Sequence, residues 1–193
     1  KSISTHASVE VAALCDVDAD RLAAALKLHP GAQTFRDYRE MISALGDKVD
    51  AVVVSTPDHT HAPAAHAAMQ AGKPVYCQKP LTHEVFEART LRELAEKKGL
   101  VTQMGIQVHS SAIYRRAVQM IQSGVIGPVS EVHAWSNKNW GYDGGAFTKT
   151  EAPPKTLEWN LWLGTAADRP YSPGVYHPGQ WRKLIDFGTG TLG

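Results

Sequence analysis

The first two thirds of the chain alternate between short apolar runs and longer segments with helical spacing. The apolar runs predict strands at 9–17, 33–35, 51–55, 74–77 and 101–107. Between and after them, apolar residues three and four positions apart predict helices at 19–28, 38–45, 61–71, 83–98 and 113–122. In the last helix, Ile113, Ala117, Met120 and Ile121 are predicted to face inward. Regular strand–helix alternation predicts an α/β fold with a doubly wound parallel sheet.

The pattern changes at the glycine- and proline-containing stretch 124–128. Residues 129–135 alternate in the manner of a strand with one exposed face, and the remainder is rich in Trp, Asn, Gly and Pro. We therefore predict a domain boundary here. Residues 1–123 would form the α/β domain, and 124–193 would be the beginning of a second, sheet-containing domain.

Polar residues that could bind a ligand or take part in catalysis follow two successive predicted strands. Thr56 and Pro57 end the strand at 51–55, because proline has no N–H for the ladder and restricts the residue before it. Gln78 and Lys79 end the strand at 74–77, and His61 opens the helix between the two strands. Ligands of open parallel sheets bind beyond the carboxyl ends of the strands. We expect these five side chains to share one rim.

Asp16 follows Cys15 near the end of the first predicted strand. In a dinucleotide fold, an acid at this position accepts hydrogen bonds from the adenosine ribose and disfavours a 2′-phosphate. The alternative is a helix N-cap, but Asp18 is better placed for that role. We interpret Asp16 as a ribose ligand, which favours NAD over NADP.

Several motifs in one order resemble the glucose–fructose oxidoreductase / inositol dehydrogenase / rhizopine-catabolism family, known as Gfo/Idh/MocA. The family has a Thr-Pro-Asn-like turn with a histidine after it, then Ala-Gly-Lys-x-Val and Glu-Lys-Pro. The matching segments here are 56–58 with His61, 71–75 and 78–80, followed by 105–107, 159–164, 181–182 and 188–193. One departure stands beside the lysine, where Gln78 replaces the usual glutamate.

The resemblance implies a Rossmann-type NAD(P)-binding domain at 1–123 and the start of a C-terminal α/β substrate and oligomerisation domain at 124–193. The family opens with a strand and a G-x-G-x-x-G turn, whereas this chain opens at Lys1 and reaches what should be the second strand first. After Gly193 the family continues into Asp-x-x-x-His, which carries a catalytic histidine. An internal segment lacking both features is therefore expected.

The family also implies roles for individual residues. Lys79 would be catalytic, because an amine beside the oxidised nicotinamide can hydrogen-bond and deprotonate a substrate hydroxyl. Cofactor contacts are expected from Asp16, Thr56, Pro57, His61, Gln78, Lys79, Pro80, Gln107, Trp181 and Arg182. Substrate contacts are expected from Lys79, His109 and Arg182. For His109 a structural role stays an alternative.

The implied activity is hydride transfer between NAD, with NADP the less favoured cofactor, and a secondary hydroxyl of a sugar, cyclitol or related polyol. Two alternatives stay open. One is an NAD-dependent glycoside hydrolase that acts through a transient keto-sugar. The other is a non-catalytic truncated remnant. A homo-oligomer is expected for the complete protein.

Composition excludes several other classes. Twenty Lys and Arg balance 19 Asp and Glu for a net charge of +1, and no basic block suggests nucleic acid or a membrane surface. No apolar run approaches the roughly 20 residues of a transmembrane helix. Cytoplasmic location is the default expectation, and an exported form stays open. Cys15 and Cys77 are interpreted as inert thiols in strands.

Two further patterns in the sequence give weaker indications of a binding site. The histidines of 59–61 have the spacing of a metal-ligand pair, but no third ligand accompanies them, so no metal is expected and His59 is interpreted as a surface residue. Trp140, Tyr142 and Asp143 could form a sugar-stacking wall, although packing is the plainer role for the tryptophan.

Overall fold

The computed structural model describes residues 6–138, 140–142, 147 and 149–192. Its strands are β1 (Ala13–Cys15), β2 (Gln33–Phe35), β3 (Val52–Val54), β4 (Val75–Gln78) and β5 (Thr102–Gly105). Its α-helices are α1 (Ala19–Leu26), α2 (Tyr38–Leu45), α3 (His61–Gln70), α4 (Val85–Lys98), α5 (Ala112–Gln122) and α6 (Trp159–Leu163). Short 3-10 helices lie at Gly46–Lys48, Asp58–Thr60, Gln107–Ser110, Gln180–Lys183 and Gly190–Leu192.

The strands form two parallel groups. β1 pairs with β2, and β4 lies between β3 and β5. Within each group every strand is connected to the next through at least one helix, as parallel pairing requires. All strand carboxyl ends within a group therefore point to the same edge. The predicted parallel α/β class is confirmed.

The helix ends follow from local side chains. Asp18 caps α1 by accepting a hydrogen bond from the Asp20 N–H, and Asp37 caps α2 through the Arg39 N–H. α4 begins with a capping box made by Glu84 and Glu87 and ends at a left-handed Gly99.

Two apolar cores organise the described residues. The first packs α3 between the strands and α4, and its buried members are Val54, Ala62, Ala64, Ala65, Ala68, Met69, Val75, Cys77, Leu91 and Leu94. The alanines let α3 approach its neighbours closely, since their side chains are short. The second core is mainly aromatic and comes from the C-terminal part of the chain: Leu157, Trp159, Trp162, Leu163, Tyr171, Tyr176, Trp181 and Phe187.

Some elements differ from their predictions. The strand predicted at 9–17 is regular only over Ala13–Cys15, and Cys15 is half-buried rather than buried. Residues 129–135 have no strand and are exposed, because the described chain offers them no partner strand. The inward face predicted for α5 is wrong, since Ile113 is 83% exposed and no residue of the helix is buried. The boundary at 124 stays a prediction.

Candidate functional site

A small cavity lies beyond the carboxyl ends of β3 and β4. It has a volume of about 110 Å³. We call it the Lys79 pocket, and its lining residues are Ser55, Thr56, Asp58, His61, Gln78, Lys79, Trp181, Arg182 and Gly190. The structure thus brings most of the predicted rim residues together with three residues from more than 100 positions further along the chain.

His61 fixes the relative position of the two turns that carry the pocket. It is the first residue of α3 and is buried. One ring nitrogen lies 2.8 Å from the Thr56 carbonyl oxygen, and the other lies 2.6 Å from the Pro80 carbonyl oxygen. The imidazole therefore joins the turn after β3 to the turn after β4. Pro80 follows a cis peptide bond from Lys79.

Lys79 itself is exposed at the rim, whereas Gln78 is half-buried. β4 ends at Gln78, which leaves the Lys79 side chain outside the sheet. Gly105 in β5 has no side chain and so leaves room for the glutamine. A Cβ added at Gly105 would clash with the Gln78 side chain and lie 2.8 Å from the Tyr76 hydroxyl.

A larger cleft of about 430 Å³ lies between β1 and β3. We call it the Asp16 cleft. Ser55, Thr56, Trp181 and Arg182 line both cavities, so the two cavities are adjacent. Pro57 also lines this cleft.

Asp16 is placed at the carboxyl end of β1, where its Oδ1 accepts a hydrogen bond of 2.9 Å from the Asp18 N–H. Burial raises the pKa of Asp16 above its ordinary value. The second carboxylate oxygen has no hydrogen bond to the described protein groups, which leaves an acceptor for a ligand in the cleft. This is the arrangement expected of a ribose ligand.

Trp181 and Arg182 reach the site from the 3-10 helix Gln180–Lys183. The Trp181 ring is buried in the aromatic core, and the Arg182 guanidinium lies 4.3 Å from the centre of that ring. Stacking holds the guanidinium over an apolar surface without consuming its hydrogen-bond donors. Gly188 packs directly beneath: a Cβ there would lie 2.8 Å from the Arg182 Cα. Trp140 is a second aromatic neighbour, with its ring centre 6.0 Å from the same guanidinium.

The interpretation of His59 as a surface residue is wrong, because its side chain is only 2% exposed. Its Nε2–H donates to the Trp162 carbonyl oxygen at 3.1 Å, and its backbone N–H donates to the Phe187 carbonyl oxygen at 3.3 Å. Its ring meets the Phe187 ring edge-on at 4.9 Å. Burial lowers the pKa of His59 below its ordinary value. No local signal distinguishes this histidine, since the groups that bury it lie more than 100 residues away.

A second attachment joins the C-terminal part to the turn that carries Asp16. His177 Nε2 lies 2.8 Å from Asp18 Oδ2, and both side chains are mostly buried. Although burial opposes ionisation, hydrogen bonds from His177 and from the Asp20 N–H lower the pKa of Asp18. The Arg36 guanidinium adds hydrogen bonds to the Val17 and Thr156 carbonyl oxygens.

Some predicted site residues lie elsewhere. Gln107 and His109 are exposed on the 3-10 helix Gln107–Ser110, away from both cavities, and His109 stacks on Tyr114 at 5.4 Å. Asp143 lies outside the described residues. Gln107 and His109 therefore line neither of the two cavities.

A glycine-rich segment lies near the other end of the chain. Residues 188–193 have G-x-G-x-x-G spacing, but they follow a 3-10 helix and a loop rather than a strand, so they are not the turn of a βαβ unit. Gly190 lines the Lys79 pocket, and the Thr189 hydroxyl lies 3.4 Å from Asp58 Oδ2.

The described residues contain no group of three or more His, Cys, Asp or Glu side chains arranged to hold a metal ion. None of the helices described is both long and apolar enough to cross a bilayer.

Parallel βα units with an acid after β1 and a lysine after β4 define a nucleotide-binding α/β protein of the oxidoreductase class. Residues 1–106 match the family described as the oxidoreductase family with an NAD-binding Rossmann fold, Gfo/Idh/MocA. The chain belongs to this family, as its motifs predicted.

The similarity to known relatives supports the same family membership. Inositol 2-dehydrogenase from Salmonella typhimurium is 35% identical over 133 residues, which is 67% of this chain and 39% of the relative. The structure of myo-inositol 2-dehydrogenase from Lactobacillus plantarum superposes with a TM-score of 0.59 at 25% identity, over 65% of this chain and 37% of that one. The structure of KijD10, a 3-ketoreductase from Actinomadura kijaniata solved with TDP-benzene and NADP, superposes with a TM-score of 0.58 at 28% identity. The superposition covers 65% of this chain and 39% of that one. The matched part thus spans about two fifths of each relative.

Proposed function

We propose that the complete gene product transfers a hydride between NAD and a secondary hydroxyl of a sugar, cyclitol or related polyol. The observation that carries this proposal is that the two cavities are adjacent and share four lining residues. Asp16 lines one, Lys79 lines the other, and Thr56 and Arg182 line both. An extended dinucleotide needs such a path from a ribose-binding acid to a reaction centre.

The residues present fit the two ends of NAD. Asp16 would hold the adenosine ribose through its free carboxylate oxygen, and the Thr56–Pro57 turn and Trp181 would flank the cofactor. Bound NAD would supply the hydride acceptor. Because Asp16 would repel a 2′-phosphate, we favour NAD, although KijD10 was solved with NADP.

Lys79 would handle the proton of the substrate hydroxyl. Its amine stands at the rim of the small pocket, where it can hydrogen-bond a hydroxyl and accept the proton as the hydride leaves the same carbon. The stacked guanidinium of Arg182 would orient further hydroxyls, because stacking on Trp181 leaves its N–H groups available as donors. Cyclitols and sugars present such neighbouring hydroxyls, and the inositol dehydrogenase relatives are named for a cyclitol.

Lys79→Met tests the proposal in the complete gene product. The substitution retains most of the apolar stem and removes the amine, so NADH formation with myo-inositol or a panel of sugars should fall about 10²–10⁴-fold. NAD affinity should change by less than about threefold, since the ribose contact is made at Asp16. Lys73→Met is the matched control, because Lys73 pairs with Asp47 at 3.3 Å away from both cavities.

A Lys79→Met protein with normal turnover would remove the lysine from the mechanism. A complete gene product that neither binds NAD nor reduces it with any polyol would refute the proposed function as a whole. The glycoside hydrolase and the non-catalytic remnant gain no support from the relatives, and no feature of the site favours either. The homo-oligomer and the absence of nucleic-acid and membrane partners stay predictions.

A further inference from the structure

His177 is a mostly buried residue of the C-terminal part that lines the Asp16 cleft. Its side chain is 16% exposed, and its Nε2 lies 2.8 Å from Asp18 Oδ2. The Arg21 Nε is also 3.3 Å from this nitrogen, but a nitrogen that donates to a carboxylate cannot accept from an arginine. Because a carboxylate only accepts, and the carboxylate contact is the shorter one, the His177 Nε2–H is the donor to Asp18.

Asp18 connects His177 to Asp16. Its Oδ1 accepts a hydrogen bond of 3.0 Å from the Asp20 N–H, and its Oδ2 accepts the one from His177. Its own backbone N–H donates to Asp16 Oδ1 at 2.9 Å. Burial raises the pKa of Asp16, and the hydrogen bond from the Asp18 N–H opposes that rise. The Asp18 amide therefore orients the Asp16 carboxylate and favours its charged form.

The Asp18 side chain depends on His177 more than the surrounding backbone does. Two backbone hydrogen bonds, of 2.8 and 2.9 Å, tie the residues on either side of Asp18 to the segment 156–158. Neither of them holds the Asp18 carboxylate, which belongs to a residue only 8% exposed. Without His177, Oδ2 would keep only the Arg21 Nε at 3.5 Å, on a side chain that is 51% exposed. A nearly buried carboxylate oxygen without a close donor is costly, so Asp18 would reorient and its N–H would lose its alignment with Asp16.

We propose that His177 is a positioning residue for the ribose-binding carboxylate, and that it acts on Asp16 through the side chain and the backbone N–H of Asp18. The C-terminal part would thus help to fix the adenosine end of the cofactor site, in addition to forming the wall that contains Trp181 and Arg182. The consequence for binding rests on the proposed function, whereas the chain of hydrogen bonds does not.

Isothermal titration of the complete gene product with NAD and with ADP-ribose measures the effect on binding. His177→Leu keeps most of the side-chain volume and removes the donor, so the affinity for both ligands should fall roughly five- to tenfold, within the range of one hydrogen bond to a charged group. His177→Gln places an amide N–H near the position of Nε2 and should stay within about twofold of the unmodified protein. A packing role alone predicts equal losses, because neither replacement keeps the ring that meets Trp162 edge-on.

The Asp16→Ala background separates positioning from direct contact with the ligand. If His177 acts through Asp16, His177→Leu should weaken binding only about twofold there, because the carboxylate that it orients is gone. The same five- to tenfold loss in both backgrounds would overturn the inference. His83→Leu is the matched control, since His83 pairs with Glu84 at 3.1 Å, has a side chain only 15% exposed and lines neither cavity. It should change both affinities by less than about twofold.

Hydrogen exchange of the Asp18 amide, followed by NMR, tests the chain of hydrogen bonds without a ligand. Exchange should be at least about fivefold faster in His177→Leu and close to the unmodified rate in His177→Gln. An unchanged rate in His177→Leu would overturn the inference, and His177→Ala, a second variant without the donor, must reproduce the His177→Leu result or the inference fails. A complete gene product that shows this exchange difference but binds neither NAD nor ADP-ribose would refute the proposed function and leave the positioning of Asp16 intact.

Discussion

Gly188→Ala should destabilise the wall that carries Trp181 and Arg182. Gly188 is buried, and a Cβ there would lie 2.8 Å from the Arg182 Cα, 3.1 Å from its carbonyl oxygen and 3.2 Å from the Trp181 ring. Two of these three atoms belong to the backbone, so no side-chain rotation relieves the overlap. Overpacking of this kind costs about 1–3 kcal/mol.

Urea unfolding of the complete gene product, followed by tryptophan fluorescence, measures this cost directly, because Trp181 and Trp162 are buried in the aromatic core. Gly31→Ala is the control. Nothing lies within 4 Å of a Cβ at Gly31, and its backbone is outside the left-handed region. We expect the control to change the free energy of unfolding by less than about 0.5 kcal/mol. Equal effects of the two substitutions would refute the packing argument.

Three further predictions concern the acids and the buried histidine. Asp16→Ala should weaken NAD binding about tenfold and NADP binding less, which isothermal titration would measure; equal losses would contradict the ribose assignment. Burial keeps the pKa of His59 below 6.5, so the unfolded chain binds a proton that the folded chain does not. The free energy of unfolding should therefore fall as pH drops below about 6.5, by at most about 1.4 kcal/mol per pH unit. In urea titrations, His59→Gln should flatten that slope. Asp18→Asn keeps the α1 cap but removes the charge facing His177, so it should lower the free energy of unfolding by about 1–2 kcal/mol. Asp37 caps α2 and pairs only with the nearby Arg39, so Asp37→Asn should lower it by less than about 1 kcal/mol.

The βα units could be predicted from the sequence because their determinants are local. Apolar runs, an aspartate before α1 and a glycine after α4 each act within a few residues. The rim residues followed from topology alone, since parallel strands carry their carboxyl ends to one edge. Asp16, Thr56 and Lys79 are therefore found beside the cavities.

The failures share a different cause. His59 is buried by Trp162 and Phe187, and no spacing rule links residues so distant in sequence. Residues 129–135 carry a strand-like alternation, but alternation records a preference for a half-buried surface and cannot supply the partner strand.

The C-terminal part of the chain therefore does more than follow the nucleotide-binding units. It is attached to these units at two places, through His177 at the turn that carries Asp16 and through the Phe187 carbonyl oxygen at His59. Trp181 lies between these attachments in sequence and lines both cavities. A ligand spanning the cavities would contact a wall fixed at two points, so loosening either attachment should alter binding at both ends. For this reason, substitutions at the attachments are expected to change cofactor and substrate affinity together, whereas changes at Asp16 or Lys79 alter one without the other.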